Sequence, residues 1–258
     1  MSADARPSNR RGRWIGLSVS RRLVTVMLNH GRKVPHCAAS TACNLAPLVA
    51  ARSALPRPPT WTALFMKAYA VVGQTYPWIR QTYIPFPVPH IYEHPNSEAS
   101  TPIERKWRGE RVLFVGKIFA PERSPLRAID ERLLYYKRQP VWEISYFREL
   151  ICLGHLPGPL ASLLMSMYLY WNGNLRARRC GTFAFTTLAG YGAESEWTLM
   201  PLTSFLTTSP ILPDGSITLR LIGDHRVADG RTAARALREL VRCLNEDMRL
   251  ELEGMADV

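Results

Sequence analysis

Apolar residues recur along the chain at the spacings of helices and strands. Leu64, Ala68, Val71 and Val72 are placed to share one face, which predicts a helix over 61–76. Similar spacing predicts helices over 20–30, 45–55, 126–138 and 232–252. Alternating or continuous apolar runs predict strands over 34–43, 111–119 and 182–188, and a hairpin within 211–222 that turns at 213–216. The segment 84–102, rich in proline and histidine, is predicted to be an irregular connection with one strand.

Strands and helices alternate without the glycine-rich phosphate loop of a dinucleotide-binding fold. The chain has 258 residues, of which 47% are hydrophobic, enough for a sizeable core. The pattern predicts an α/β protein, a two-layer α+β sandwich in which helices cover a mixed sheet. We expect a disordered basic tail at 1–14 and one domain over 15–248.

One segment departs from this alternation. Residues 150–175 contain no Asp, Glu, Lys or Arg, and Arg176, Arg178 and Arg179 follow at once. Gly154 to Pro159 interrupts the run, and the unbroken part, 160–171, is too short to cross about 30 Å of hydrocarbon. The segment is therefore interpreted either as a membrane-surface element with basic flanks, over 150–179, or as a buried helix or subunit contact.

The net charge of +12 indicates an anionic partner: a phosphate-bearing ligand of the coenzyme A type, a nucleic acid or an anionic membrane. No zinc-knuckle, Walker or RNA-binding pattern is present, so nucleic acid is not expected. The five cysteines form no C-x-x-C pair. Neither a disulfide framework nor a metal site is expected, and a reducing, cytoplasmic location fits.

The segment from Asp224 to Gly230 reads Asp-His-Arg-Val-Ala-Asp-Gly, between an alternating apolar strand and a helix that begins near Thr232. His225 suits proton transfer, since the pKa of histidine lies near neutrality. Asp229 could fix the turn or form an ion pair, and Gly230 allows a backbone conformation closed to other residues. The alternative interpretation is a surface histidine in a loop beside an ordinary capping aspartate.

The segment 224–230 resembles the active-site signature of the dihydrolipoamide acyltransferases, the catalytic domains of 2-oxo acid dehydrogenase complexes. They share a fold with chloramphenicol acetyltransferase. Three further segments are similar to that family in the same order: 21–27 with Pro35-His36, 61–80, and 181–190 (Gly-Thr-Phe-Ala-Phe-Thr-Thr-Leu-Ala-Gly). The region 85–180 matches poorly, and 146–180 looks like an insertion. No lipoyl domain or linker is recognised, so we expect a stand-alone relative without a covalently bound lipoyl group.

The resemblance implies direct acyl transfer between coenzyme A and a thiol, hydroxyl or amine acceptor, with no acyl-enzyme and no metal. His225 would be the general base. A hydroxyl would stabilise the oxyanion, and the family's serine falls on Thr186, with Thr187 next to it. His36 is expected to serve in packing.

The resemblance also implies support of the histidine loop and an assembly. Asp229 would form an ion pair with Arg21 or Arg22, or else contact the substrate, and Gly230 would shape the turn. The family forms homotrimers whose active-site clefts lie between subunits. Two alternatives stay open: a catalytically inactive trimeric scaffold, and a membrane-surface binding protein of the same fold.

Overall fold

The computed structural model describes residues 12–256, so most of the predicted tail at 1–14 lies outside the described residues. The α-helices are α1 (Val19–Gly31), α2 (Ala46–Ser53), α3 (Trp61–Thr75), α4 (Leu126–Arg138), α5 (Ser145–His155), α6 (Gly158–Tyr170), α7 (Gly173–Cys180), α8 (Gly230–Asn245) and α9 (Asp247–Gly254). The strands are β1 (His36–Asn44), β2 (Gln81–Ile84), β3 (His90–Glu93), β4 (Glu98–Trp107), β5 (Glu110–Phe119), β6 (Phe183–Thr187), β7 (Ser204–Thr208) and β8 (Ser216–Asp224).

Six of these strands form one mixed sheet in the order β1-β8-β7-β6-β4-β5. β6 runs parallel to β4 and β7, and the other neighbours pair antiparallel. β2 and β3 form a separate antiparallel hairpin. The prediction of an α/β fold with a mixed sheet covered by helices is confirmed.

The helices predicted over 20–30, 61–76 and 126–138 agree with the structure, and three other predictions need correction. The predicted helix over 126–138 coincides with α4. The helix predicted over 232–252 is wrong as a single element, because the backbone leaves helical geometry at Glu246 (φ −109°, ψ −72°) and α9 starts afresh. The segment 84–102 holds all of β3 and the start of β4 rather than one strand. Ordered chain also continues past 248, since Leu252 of α9 is buried.

Helix α3 occupies the centre of the core. Its Phe65 ring stacks on Phe185 of β6 at 5.5 Å between centroids, and Tyr69 meets Phe183 edge-on at 4.9 Å. On another side of α3, Cys243 of α8 lies 3.9 Å from the Ala68 carbonyl oxygen. Burying one such aromatic side chain contributes about 1.5–3 kcal/mol, so the α3 face holds β6 and α8 in fixed relation.

The apolar segment 150–175 folds into the end of α5, all of α6 and the start of α7. Ala161, Met165 and Leu169 of α6 are buried, whereas Leu163 and Met167 are exposed. One face of α6 therefore joins the core while the other stays open. Within residues 12–256, no helix has the length and apolar character needed to cross a bilayer.

Candidate active site

His225 lies immediately after β8, where the chain leaves the sheet. β8 pairs with β1 up to His36 opposite Asp224, and with β7 at Ser204 opposite Gly223. The amide of His225 then donates to the Pro35 carbonyl at 2.9 Å, and α8 starts at Gly230. The imidazole is exposed. The structure therefore confirms the prediction that His225 lies where a strand leads into a helix.

An ion pair between a buried aspartate and a partly exposed arginine fixes the first residues of this loop. Asp224 is only 2% exposed, and its carboxylate accepts from the Arg226 amide at 3.0 Å and from Arg226 Nη2 at 2.7 Å. The Asp224 amide donates to Thr203 O at 2.7 Å, and the Arg226 guanidinium lies 4.3 Å from the centre of the Tyr83 ring. The pair and these contacts hold the residues on both sides of His225. An aspartate and an arginine on either side of the histidine are visible in the sequence, but no role was predicted for them.

Asp229 is the N-cap of α8. Its carboxylate accepts from the Thr232 amide at 2.7 Å. Hydrogen bonding from Thr232 lowers the pKa of this exposed carboxyl, and the positive charge of Arg231 acts in the same direction. The capping interpretation of Asp229 is thus the observed one.

The residues expected to support Asp229 lie elsewhere. Arg21 and Arg22 are exposed on α1, where Arg22 Nε donates to Leu17 O at 3.2 Å. Between residues 12 and 256, neither arginine forms an ion pair with Asp229. Their role in the loop stays a prediction.

Gly230 begins α8 without a left-handed backbone, and a Cβ there would meet nothing within 4 Å. The expectation that this position needs a backbone conformation closed to other residues is therefore wrong.

The two threonines at the end of β6 differ in their hydrogen bonding. Thr187 Oγ1 accepts from the Ala189 amide at 3.1 Å and lies 3.1 Å from Thr208 Oγ1. Thr186 is half-buried, and its hydroxyl makes no hydrogen bond to any other described residue. Of the two hydroxyls, that of Thr186 is available to a ligand.

Thr186 and His225 lie at opposite ends of the sheet. Thr186 is opposite Thr207, which is opposite Arg220, five residues before His225. Five residues of strand span about 17 Å, and two strand spacings add about 10 Å across the sheet. The two side chains therefore cannot act on one reacting atom within a single chain. If both belong to one site, a second copy must complete it.

His36 lies beside the loop as a packing residue, as expected. Its Nε2 is 3.0 Å from Leu202 O, and its ring meets Phe205 edge-on at 5.4 Å. Burial lowers the pKa of His36, which favours the neutral ring.

A basic groove of about 530 Å³ lies at the β4–β5 edge of the sheet, four strands away from β8. Lys117, Arg132, Arg178 and Arg179 line it, together with Glu98 and Glu149. Lys117 is paired with Glu98 at 3.0 Å, and Arg179 is paired with Glu149. Arg132 and Arg178 form no ion pair within residues 12–256 and could contact phosphate. In the same range, no three His, Cys, Asp or Glu side chains are grouped to hold a metal ion.

Sequence comparison gives no family: no family model matches the chain, and no curated protein matches it. Structural comparison does give matches. The chain is similar to dihydrolipoamide acetyltransferase from Azotobacter vinelandii, with a TM-score of 0.67, 18% identity and coverage of 98% of each chain. That structure was studied for the catalytic roles of a serine, a histidine and an asparagine, the last two four positions apart.

Two further structures are alike in fold. A dihydrolipoamide acetyltransferase from Listeria monocytogenes 4b F2365 has a TM-score of 0.63 and 19% identity, over 91% of this chain and 95% of the other. The cubic core of a pyruvate dehydrogenase complex has a TM-score of 0.63 and 18% identity, over 97% and 99%. The fold of this chain is that of dihydrolipoamide acetyltransferase catalytic domains.

Proposed function

We propose that this protein is an acyltransferase that moves an acyl group between a coenzyme A thioester and a thiol, hydroxyl or amine acceptor. The observation that carries the proposal is the fixed presentation of His225. The histidine is exposed between the Asp224–Arg226 ion pair and a capped helix, in a fold shared with acetyltransferases. The Azotobacter enzyme places a histidine and an asparagine four positions apart, as this chain places His225 and Asp229.

In the proposed reaction, neutral His225 removes the proton from the acceptor as the acceptor attacks the thioester carbonyl. A bond forms between the acceptor and the carbonyl carbon, and the carbonyl oxygen becomes an oxyanion. The intermediate then breaks its carbon–sulfur bond. The coenzyme A thiolate leaves with the electron pair and takes the proton from the imidazolium, so His225 returns to its starting state without an acyl-enzyme.

Thr186 is proposed to donate its hydroxyl to the oxyanion. Its free hydroxyl, in contrast with that of Thr187, supports this role. Since Thr186 and His225 are about 20 Å apart in one chain, the Thr186 that serves a given His225 would come from a neighbouring copy. A homotrimer with clefts between subunits supplies this arrangement, and the Asp224–Arg226 pair would keep His225 at the cleft.

The coenzyme A phosphates would bind basic side chains of the groove. Arg132 and Arg178 are the proposed contacts, because both line the basic groove and neither is committed to a carboxylate of this chain. All five cysteines are free thiols, which supports a reducing, cytoplasmic setting.

The test follows release of coenzyme A from a panel of acyl donors, with dihydrolipoamide, other thiols, alcohols and amines as acceptors. We expect His225→Ala to lower turnover by about 10²- to 10⁴-fold, because proton removal from the acceptor is lost. His155→Ala is the matched control: this histidine is also exposed, but it lies at the end of α5.

Equal turnover in His225→Ala and in the unaltered protein would remove His225 from the mechanism. Absence of turnover with every donor and acceptor, in a folded trimer, would overturn the enzymatic proposal and favour the inactive scaffold.

A further inference from the structure

Helix α6 carries large apolar side chains on its outward face as well as on its inward face. Leu160, Leu163, Met167 and Trp171 are three, four and four positions apart and are 44%, 59%, 45% and 64% exposed. This spacing places them along one side of the helix and the residue that follows it. A surface helix of a protein fully surrounded by water normally turns polar residues outward. The outward face of α6 is therefore suited to an apolar contact.

The loop between β2 and β3 extends this apolar face. Phe86 stacks on Trp171 at 5.4 Å between ring centroids, and Val88 beside it is 68% exposed. The hairpin is held against α7, since Tyr92 Oη donates to Asn174 Oδ1 at 2.9 Å. The contact surface, here called the apolar ridge, consists of Leu160, Leu163, Met167, Trp171, Phe86 and Val88. It belongs to two elements docked on each other.

The two segments that form and surround the apolar ridge carry positive charge and contain no carboxylate side chain. Neither 12–92 nor 150–193 contains Asp or Glu. Helix α1 packs beside α6, with His30 Nε2 3.3 Å from Ser162 Oγ. Arg22 lines the groove between α1 and the start of α6, and Arg32 and Lys33 are exposed just after His30. His30 Nδ1 also lies 3.4 Å from Tyr170 Oη at the end of α6. Cations of α1 and of the residues just after it therefore lie beside α6.

We propose that the apolar ridge and its basic flanks form a binding surface for an anionic lipid bilayer. The ridge on α6 is about 16 Å long, a length suited to lying in the interface rather than crossing it. The apolar side chains enter the boundary between headgroups and acyl chains, while Arg22, Arg32 and Lys33 contact lipid phosphates and carboxylates.

Charge favours this occupant over a second copy of the chain. Two ridges packed face to face would bring the basic flanks of both copies together, and like charges at close range oppose association. An anionic bilayer instead offers both an apolar layer and neutralising charge. Binding to the bilayer does not depend on the acyl-transfer chemistry, so the two proposals are tested separately.

The experiment measures co-sedimentation of the full chain with vesicles of phosphatidylcholine alone and of phosphatidylcholine with 30% phosphatidylserine. We expect binding to the anionic vesicles only. Leu163→Gln combined with Met167→Gln should weaken binding at least about tenfold, because each loses apolar burial. Arg32→Gln combined with Lys33→Gln should weaken it about 25-fold, at about fivefold for each charge near the surface.

Matched controls come from α8 and α9, which contribute no residue to the apolar ridge. Leu250→Gln removes an apolar side chain that is also 59% exposed, but on α9, and Arg235→Gln with Arg238→Gln removes two exposed charges on α8. These variants should bind as the unaltered protein does. Absence of anionic-vesicle binding would overturn the proposal, as would equal losses in the control variants. Reduction of the oligomer by the Leu163 and Met167 changes would assign the ridge to a contact between copies instead.

Discussion

At the scale of single residues, the exposed side chain of His225 is positioned by neighbouring residues on both sides. Asp224 and Arg226 flank His225 in sequence, and their side chains meet beneath it. Asp229 closes the other side by capping α8. The imidazole between them is left exposed while the backbone on both sides is held.

Asp224→Asn tests this positioning role. The change keeps the shape but removes the charge, so Arg226 loses its charge-assisted pair and the loop is less well held. We expect a stability loss of about 1–2 kcal/mol, since Arg226 is partly exposed, and a fall in kcat of at least about tenfold. Urea denaturation and turnover at saturating donor measure the two effects.

Glu251→Gln is the matched control for that variant. Glu251 of α9 and Lys67 of α3 form a partly buried pair at 2.6 Å, and neither residue belongs to the histidine loop or to the basic groove. The control should lose similar stability with turnover nearly unchanged. A parallel fall of turnover in both variants would mean that Asp224 acts only through general stability.

At the scale of elements, the passage from α7 into β6 depends on one glycine. Gly181 has φ +90°, and a Cβ at this position would lie 2.8 Å from the Glu98 carbonyl oxygen. That carbonyl also accepts from the Thr182 amide at 2.8 Å, at the start of the β4–β6 pairing. The glycine therefore sets how closely β6, which carries Thr186, approaches β4.

Gly181→Ala is expected to destabilise the protein by about 1–3 kcal/mol, because the alanine must hold a strained φ and push against backbone. Thermal and urea unfolding measure the loss. Gly190→Ala, where a Cβ would meet nothing within 4 Å and φ is ordinary, should stay within about 0.5 kcal/mol of the unaltered protein. Equal stability in both variants would contradict the argument.

Two strands, β7 and β4, were not predicted at their full extent because their sequences contain residues that are unusual in strands. All five residues of β7 are buried, and Ser204 and Thr207 bury their hydroxyls by donating to Ile79 O at 3.3 Å and Ser195 O at 3.0 Å. A central strand that is covered on both faces shows no alternation of apolar and polar residues, and its serine and threonine residues suggest a loop. Pro102 likewise argued against β4, yet β4 pairs with β6 only at Ala99 and Ser100, so the proline lies beyond that pairing.

At the scale of the whole molecule, the separation of Thr186 and His225 leads to a prediction about assembly. His225→Ala and Thr186→Ala subunits should each have little activity, the second about 10²- to 10³-fold below the unaltered protein. Mixed trimers formed by co-expression should recover activity, because about one quarter of the clefts would receive both intact side chains. Turnover per trimer measures the recovery.

The control mixes the two purified variants without exchange of subunits, which should restore nothing. Co-expressed trimers no more active than the sum of the parents would contradict a site shared between subunits. Such a result would leave the proposed role of His225 in place and remove that of Thr186.

The sequence by itself determined the class of fold, the strand-to-helix setting of His225 and the long periodic elements such as α3 and α4. These depend on local patterns: periodic burial along an element, and the residues that start or end it. The order of the resembling segments also anticipated the fold that structural comparison found, although overall identity with those structures is only 18–19%.

Only the tertiary structure decided that Thr186 and His225 lie at opposite ends of the sheet, that Asp224 pairs with Arg226, and that Asp229 caps α8. It also decided that α6 buries one apolar face and opens the other. Strand register, ion-pair partners and the side of a helix that meets the core are set by residues distant in sequence. An all-apolar helix gives no local pattern by which its buried face could be told from its exposed one.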